Sequence, residues 1–259
     1  MFADIPSGLG FFSVAAQDLL DGEELGRSAE EVFPAASLVK IPVLTTLFRE
    51  YDAGRLDLSL QYSLASSDQV GGAGVLQFLT PGLSISLRDL AFLMVVVSDN
   101  TATNVLIDIL GMDAVNSDLE EWGLSETRLR RKLMTDLTSQ PANFTTPREM
   151  VRLLARIYGD TGFSKESRES MLTILQGQQF REIIPRWLPP DVPVAHKTGE
   201  ITGVRHDAGI VLLPERPFAI CLSAKDLTSG PKGEEALAEI SLEVFDYFRT
   251  KGVRGGRTK

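Results

Sequence analysis

The apolar run at residues 10–19 (GFFSVAAQDL) predicts a strand, closed by a turn at Asp21-Gly22 and paired with a second strand at 24–29. The apolar spacing then switches to the helical period over 37–52, and Ala53-Gly54 supplies the stop. Pro42 falls inside this helix, removes its hydrogen bond to Leu38 and predicts a slight kink near residue 37. Residues 56–81 are broken by Gly71-Gly72-Ala73-Gly74 and Thr80-Pro81-Gly82, which predicts loop. Helical spacing returns at 86–97, 101–110 and 113–122 and lapses across 123–146. Thr146-Pro147-Arg148-Glu149 opens another helix, with Pro147 at its first position and Glu149 placed to reach back in a capping box. A helix at 164–176 follows, then strands at 192–198, 208–213 and 218–224. An amphipathic helix at 234–250 and a basic, frayed tail at 252–259 complete the chain.

Strands thus bracket a block of helices, which points to an α/β chain of the α+β kind. One sheet can gather both ends of the chain, an α/β lobe of about 1–34 and 190–259, beside an all-helical lobe of about 35–189. The cleft between such lobes is a common place for a small-molecule site.

Charge and composition narrow the chemistry. The 259 residues carry a net charge of −9, so there is no basic field for nucleic acid to find. The lone cysteine, Cys221, lies in the apolar run at 217–222 and reads as a small buried hydrophobe. His196 and His206 are the two histidines, with no HExxH and no Cys/His cluster, so no metal or other cofactor is expected. The longest strongly apolar stretch, 90–97, is too short to span a bilayer. The start, MFADIP, lacks a basic segment followed by an apolar one. It reads as cytoplasmic, or as periplasmic or secreted if a signal peptide has been removed; a monomer is expected.

Three short motifs carry candidate chemistry. In Ser37-Leu38-Val39-Lys40, serine and lysine share a helix face, and Val39, Ile41, Val43 and Leu44 around Lys40 predict its burial. A desolvated Lys40 can take a proton from Ser37; the plainer alternative is a capping serine one turn from a surface lysine. In Ser98-Asp99-Asn100, Ser98 can pass a proton to a leaving group and the Asn100 amide can hold a carbonyl or a lysine; it equally reads as a helix cap. In Lys197-Thr198-Gly199, Lys197 and Thr198 can hold a carboxylate while Gly199 admits a substrate close to the backbone. Singly, each has an ordinary structural reading.

Together and in this order, SxxK, SDN and KTG resemble the motif set of class A β-lactamases and related penicillin-recognising serine hydrolases. Ser98-Asp99-Asn100-Thr101-Ala102-Thr103-Asn104 and Thr145-Thr146-Pro147 extend the similarity, which covers nearly the whole chain. The resemblance implies a β-lactamase/DD-peptidase-like fold: an antiparallel sheet with flanking helices beside an all-helical lobe. It implies catalytic Ser37, acylated by substrate, with Lys40 as base or relay and with Ser98, helped by Lys197, protonating the leaving nitrogen. Asn100, Thr198, Gly199 and Glu200 would bind substrate, the backbone N–H groups of Ser37 and Glu200 holding the oxyanion. Arg205 and His206 are further candidates for a substrate carboxylate.

The pattern breaks at one place. The family carries a glutamate in the irregular loop before the Thr-Thr-Pro helix, the accepted deacylation base. Aligning Thr127-Arg128-Leu129 with the family's similar run puts Leu133 there, and no Glu lies between Glu126 and Glu149. Asp136 is the nearest carboxylate, short and offset. Acylation by β-lactams with weak hydrolysis is therefore expected. D-Ala-D-Ala peptidase or esterase action at the same site, or a non-hydrolytic penicillin-binding sensor, is the alternative.

Overall fold

The computed structural model describes residues 7–135, 141–159 and 162–255, the last four without their side chains. In chain order the strands are β1 (Phe11–Asp18), β2 (Glu24–Arg27), β3 (Phe33–Pro34), β4 (Gln61–Ser63), β5 (Ser84–Ser86), β6 (Phe144–Thr145), β7 (Val194–Ile201), β8 (Val204–Val211) and β9 (Phe218–Lys225). The helices are α1 (Lys40–Asp52), α2 (Leu87–Val96), α3 (Asn100–Leu110), α4 (Met112–Glu121), α5 (Pro147–Tyr158), α6 (Lys165–Gln176) and α7 (Gly230–Gly255).

The two ends of the chain build one antiparallel sheet in the order β2-β1-β9-β8-β7. β1 pairs with β9 along its whole length, Phe11 opposite Lys225 and Asp18 opposite Phe218. Alternation along β9 divides its side chains between two cores. Phe218, Ile220 and Leu222 pack with Leu237, Ile240, Val244 and Phe248 of α7, and the Phe218 ring stacks on Phe248 with centroids 4.7 Å apart. Ala219 and Cys221 face the other way and meet Ala15, Ala208 and the α5 residues Met150, Val151 and Leu154. Small side chains on that face let α5 lie across β1, β8 and β9. Burial pushes the Cys221 thiol up to about 12, which keeps it an inert packing group.

α5 lies within the central helical stretch of the sequence, yet it packs on the sheet, and one hydrophobic core runs through it to α1. α1 buries Ile41, Val43, Leu44, Leu47 and Phe48, as expected of a helix surrounded by α2, α3, α4 and α6. Among the described residues no helix is long and apolar enough to cross a membrane.

Three local expectations change. Ser37 does not open an α-helix: residues Ala36–Val39 form a 3₁₀ turn, and α1 begins at Lys40. Pro42 gives the reason. Its missing N–H forbids the bond to Leu38, so the first turn tightens and the Lys40 N–H bonds the Ser37 carbonyl instead. Pro42 then occupies the first turn of α1, where its N–H has no partner to lose, and no kink is needed. The capping box at α5 is half made. Thr146 accepts from the Glu149 N–H, but the Glu149 carboxylate turns away. It takes the Glu126 N–H at 2.9 Å and the Thr127 N–H and hydroxyl at 2.6 Å each. A buried carboxylate with three donors thus anchors the segment leading to Leu133. Finally, α7 starts four residues earlier than its apolar pattern indicates, at Gly230.

Candidate active site

The 3₁₀ turn carrying Ser37 packs against β7, the edge strand that carries Lys197-Thr198-Gly199 within its length. A Cβ on Gly199 would stand 3.4 Å from the Leu38 side chain, so glycine lets turn and strand come close. Residue pairs in an antiparallel ladder alternate between hydrogen-bonded and not. Ile201 and Val204 flank the two-residue turn, so the next pair, Glu200 with Arg205, leaves the Glu200 N–H on the open edge of β7. That edge faces Ser37.

Ser98 sits on the loop between α2 and α3, at φ +54°. Ala36, immediately before Ser37, is also left-handed, at φ +45°. Such backbone costs about 1–3 kcal/mol per residue and persists where packing over-determines it. Asp99 does much of that work. It caps α3 through the Ala102 N–H (2.9 Å) and takes the N–H groups of Val75 (2.6 Å) and Leu76 (2.8 Å). Gly74, at φ +105°, is required there, since a Cβ would fall 2.3 Å from the Asp99 carboxylate. The cap of α3 is therefore Asp99, which leaves Ser98 free for the cleft.

The side chains of all three motifs form one hydrogen-bonded chain. Ser98 Oγ donates to Ser37 Oγ at 3.0 Å. It accepts from Lys40 Nζ at 2.9 Å and from Lys197 Nζ at 3.1 Å. One donor and two acceptor positions exhaust a hydroxyl, so Ser98 is saturated. Lys40 Nζ also donates to the Ser98 carbonyl (2.6 Å) and to Asn100 Oδ1 (2.9 Å), while Asn100 Nδ2 donates to the Gly71 carbonyl (3.1 Å). Lys197 Nζ is tied to the Thr198 carbonyl at 2.8 Å. No ion pair to either ammonium is present among the described residues.

Both lysines are fully buried. Burial holds the Lys40 ammonium well below the usual lysine range; the nearby Lys197 charge adds to this and Asp99 opposes it. Burial brings Lys197 down to about 7, against the pull of Asp207. Two amines whose ammonium forms burial disfavours thus share one hydroxyl, an arrangement that can move a proton either way.

A cleft of about 450 Å³ opens over this group, lined by Ser37, Ser98, Thr198, Phe180, Glu182 and Ile183 among others. Arg205 lies at its rim but is held by Glu234 (2.7 Å) and Glu200 (2.6 Å). His206 departs from its expected role. It is wholly buried, its Nε2 is bonded to the Pro34 carbonyl at 2.9 Å, and burial lowers its pKa to about 4. A neutral ring with its N–H so engaged has no charge to give a carboxylate.

A smaller cavity of about 130 Å³ adjoins Ser37 on the other side, lined by Asn100, Leu133, Met134, Asn143 and Glu200. Asn104 grips the Leu133 backbone at both ends, 2.8 Å to its N–H and 2.9 Å from its carbonyl. Asn143 Oδ1 accepts the N–H groups of Arg130 and Arg131, its Nδ2 donates to the Arg131 carbonyl, and its backbone carbonyl takes the Ala35 N–H at 2.7 Å. The loop is therefore fixed next to Ser37 and brings a leucine to this cavity. Glu200, paired with Arg205, is its one carboxylate among the described residues. Asp136 lies outside the described residues. The wall at Phe180, Glu182 and Ile183, and the pairing of Glu234 with Arg205, carry no motif and were not legible in the sequence.

The comparisons agree with this architecture. The family described as the Beta-lactamase enzyme family matches residues 7–248. A β-lactamase regulatory protein, BlaB of Streptomyces cacaoi, is 32% identical over 92% of this chain and 92% of its own length. The crystal structure of a β-lactamase from Sphaerobacter thermophilus is 32% identical with a TM-score of 0.87, covering 91% of this chain and 90% of that one. A leucine-to-glutamate mutant of PBP-A, solved as its acyl-enzyme complex with penicillin G, is 30% identical with a TM-score of 0.87 over 94% of this chain and 92% of that one. The chain belongs to the class A β-lactamase family of serine hydrolases.

Proposed function

We infer that the protein is acylated by β-lactams at Ser37 and releases the acyl group slowly. The observation that carries this is the saturated Ser98 hydroxyl, which joins Ser37 to both buried lysines. Burial destabilises the Lys40 ammonium; once it has lost a proton the hydrogen bonds through Ser98 reverse, so that Ser98 accepts from Ser37 and donates to Lys40, and Lys40 takes the Ser98 proton as Ser98 takes that of Ser37. Ser37 Oγ then adds to the lactam carbonyl. The oxyanion lies between the backbone N–H groups of Ser37 and Glu200, each worth about 2.7–4 kcal/mol in such sites. The C–N bond breaks, the nitrogen takes a proton back through Ser98, and acyl-Ser37 remains. A protonated Lys197, with Thr198, attracts the substrate carboxylate.

Hydrolysis of that ester needs a base to activate water on the far side of Ser37. Leu133 occupies that side. Losing a general base costs about 10²–10⁴-fold in the step it serves. Peptidase or esterase action on acyl-D-Ala-D-Ala-type substrates uses the same acylation machinery and is the second reading. The same missing base slows its hydrolysis as well, so an acyl group taken from such a substrate is left for acceptors other than water. Intact mass after adding benzylpenicillin tests the proposal. An adduct that forms quickly, persists, and is absent in Ser37→Ala is expected; rapid multi-turnover hydrolysis would overturn it.

A further inference from the structure

Behind the cleft, on the α7 face of the sheet, β7 and β8 hold a polar pair that the acylation chemistry leaves unused. His196 and Asp207 are both completely buried. The His196 Nδ1 lies 2.9 and 3.0 Å from the two Asp207 carboxylate oxygens, and its Nε2 has no hydrogen-bond partner among the described residues. Opposite the ring the ladder has Gly209, where a Cβ would stand 2.5 Å from the His196 Cβ. Space, charge and donor are thus matched to this one ring.

Asp207 Oδ2 also accepts the Ile184 N–H at 2.9 Å, and the Ile184 carbonyl accepts from Ser241 Oγ of α7 at 3.1 Å. Ile184 is gripped on both sides of its backbone. The residues just before it, Phe180, Glu182 and Ile183, are the wall of the cleft. On the other face of β7, next in sequence to His196, stands Lys197.

We propose that Asp207, held by His196, is a positioning residue for acylation: it clamps the 180–184 wall to the sheet and sets a buried negative charge behind Lys197. This rests on the acyl-Ser37 reading. The wall fixes where a substrate side chain lies, and the charge favours the ammonium form of Lys197 against its burial. Lys197 is otherwise surrounded by few charges. Lys40 lies at the start of α1, Asp99 ahead of α3, and neutral His206 on β8. Glu200, Arg205 and Glu234 pair with one another at the rim. α6, also packed on β7, buries Met171, Ile174 and Leu175 and keeps Lys165, Glu166, Arg168 and Glu169 in its first turns.

The test is the acylation rate of the full chain with benzylpenicillin between about pH 5 and 9, with melting curves taken alongside. Asp207→Asn keeps the shape and removes the charge. It is expected to acylate about tenfold more slowly, with the alkaline fall in rate moved about one pH unit lower. Ser241→Ala loosens the wall and keeps the charge, so it weakens binding of the acylating ligand and leaves the pH profile in place. A folded Asp207→Asn protein with the parental rate and profile overturns the proposal. Should that variant not fold, His196→Asn carries the test: slowed acylation supports the clamp, and a parental rate overturns it. A parent that forms no adduct at all sinks the acyl-Ser37 reading as well, so the two failures are distinguishable.

Discussion

The two sides of Ser37 are built on opposite principles. On one side the Ser98 hydroxyl and the Lys40 ammonium make five hydrogen bonds between them, in a cluster held by strained backbone. On the other side the backbone is equally well fixed, by Asn104 and Asn143, but the side chain delivered to the cavity is apolar. Rigidity is common to both. What differs is the chemistry mounted on it, which is why forming the acyl-enzyme and hydrolysing it are expected to be separable here.

Substitutions can break that contrast. Ser37→Ala removes the nucleophile; adduct formation with benzylpenicillin, followed by intact mass, is expected to vanish, a loss on the order of 10⁶-fold by analogy with other serine nucleophiles. Lys40→Met leaves Lys197 as the one amine on the Ser98 hydroxyl, and acylation should slow by about 10²–10⁴-fold in stopped-flow mixing with a chromogenic cephalosporin. If acylation kept its parental rate after either change, the polar side would not be the seat of the chemistry.

The opposite wall can be sharpened instead. Leu133→Glu places a carboxylate on the adjoining cavity, so the adduct should decay about ten- to a hundred-fold faster with acylation little changed. An adduct lifetime equal to the parent's would show that more than the missing base limits hydrolysis. The pH profile separates the sides again. Lys197 loses its proton as pH rises through about 7, so acylation of carboxylate-bearing β-lactams should fall on the alkaline side, about tenfold per pH unit once deprotonation dominates. The sign for stability is the reverse. The unfolded chain binds this proton more tightly than the folded one, so the lysine's contribution to stability improves between about pH 7 and 10. The smallest effect belongs to the scaffold of the apolar side. Thr146→Ala removes the cap of α5 and should cost about 1 kcal/mol in urea unfolding, with acylation unaltered.

What the sequence reveals and hides follows from how local each signal is. Ser86, Thr146 and Ser164 announce their helices because a cap needs only a hydroxyl and the N–H three residues on. The three motifs of the candidate site are legible for a related reason: each spans only three or four consecutive residues. Leu133 is legible by alignment with a neighbouring run. The 3₁₀ turn at Ser37 is nearly so, since Pro42 already forbids the ordinary first turn. The His196–Asp207 pair and the Arg205–Glu200–Glu234 set depend on strand register and on the approach of α7, and no short window of sequence encodes either. His206 misleads because a histidine two positions from a hairpin looks accessible, whereas pairing with Gly199 puts it inside.

The joining of β1 to β9 has a consequence for the life of the chain before it is a catalyst. β1 must wait for β9, which follows it with roughly 200 residues between them. At about 5–20 residues per second that is a delay of about 10–40 s. Through it β1 can pair with β2, but the backbone groups of its other edge stay unsatisfied and open to pairing with another chain. α1, α2, α3 and α4 wait less, because they fall within about 80 residues of one another. Synthesis therefore runs from a helical body that can collapse early to a sheet, and with it Lys197, that is completed at the very end.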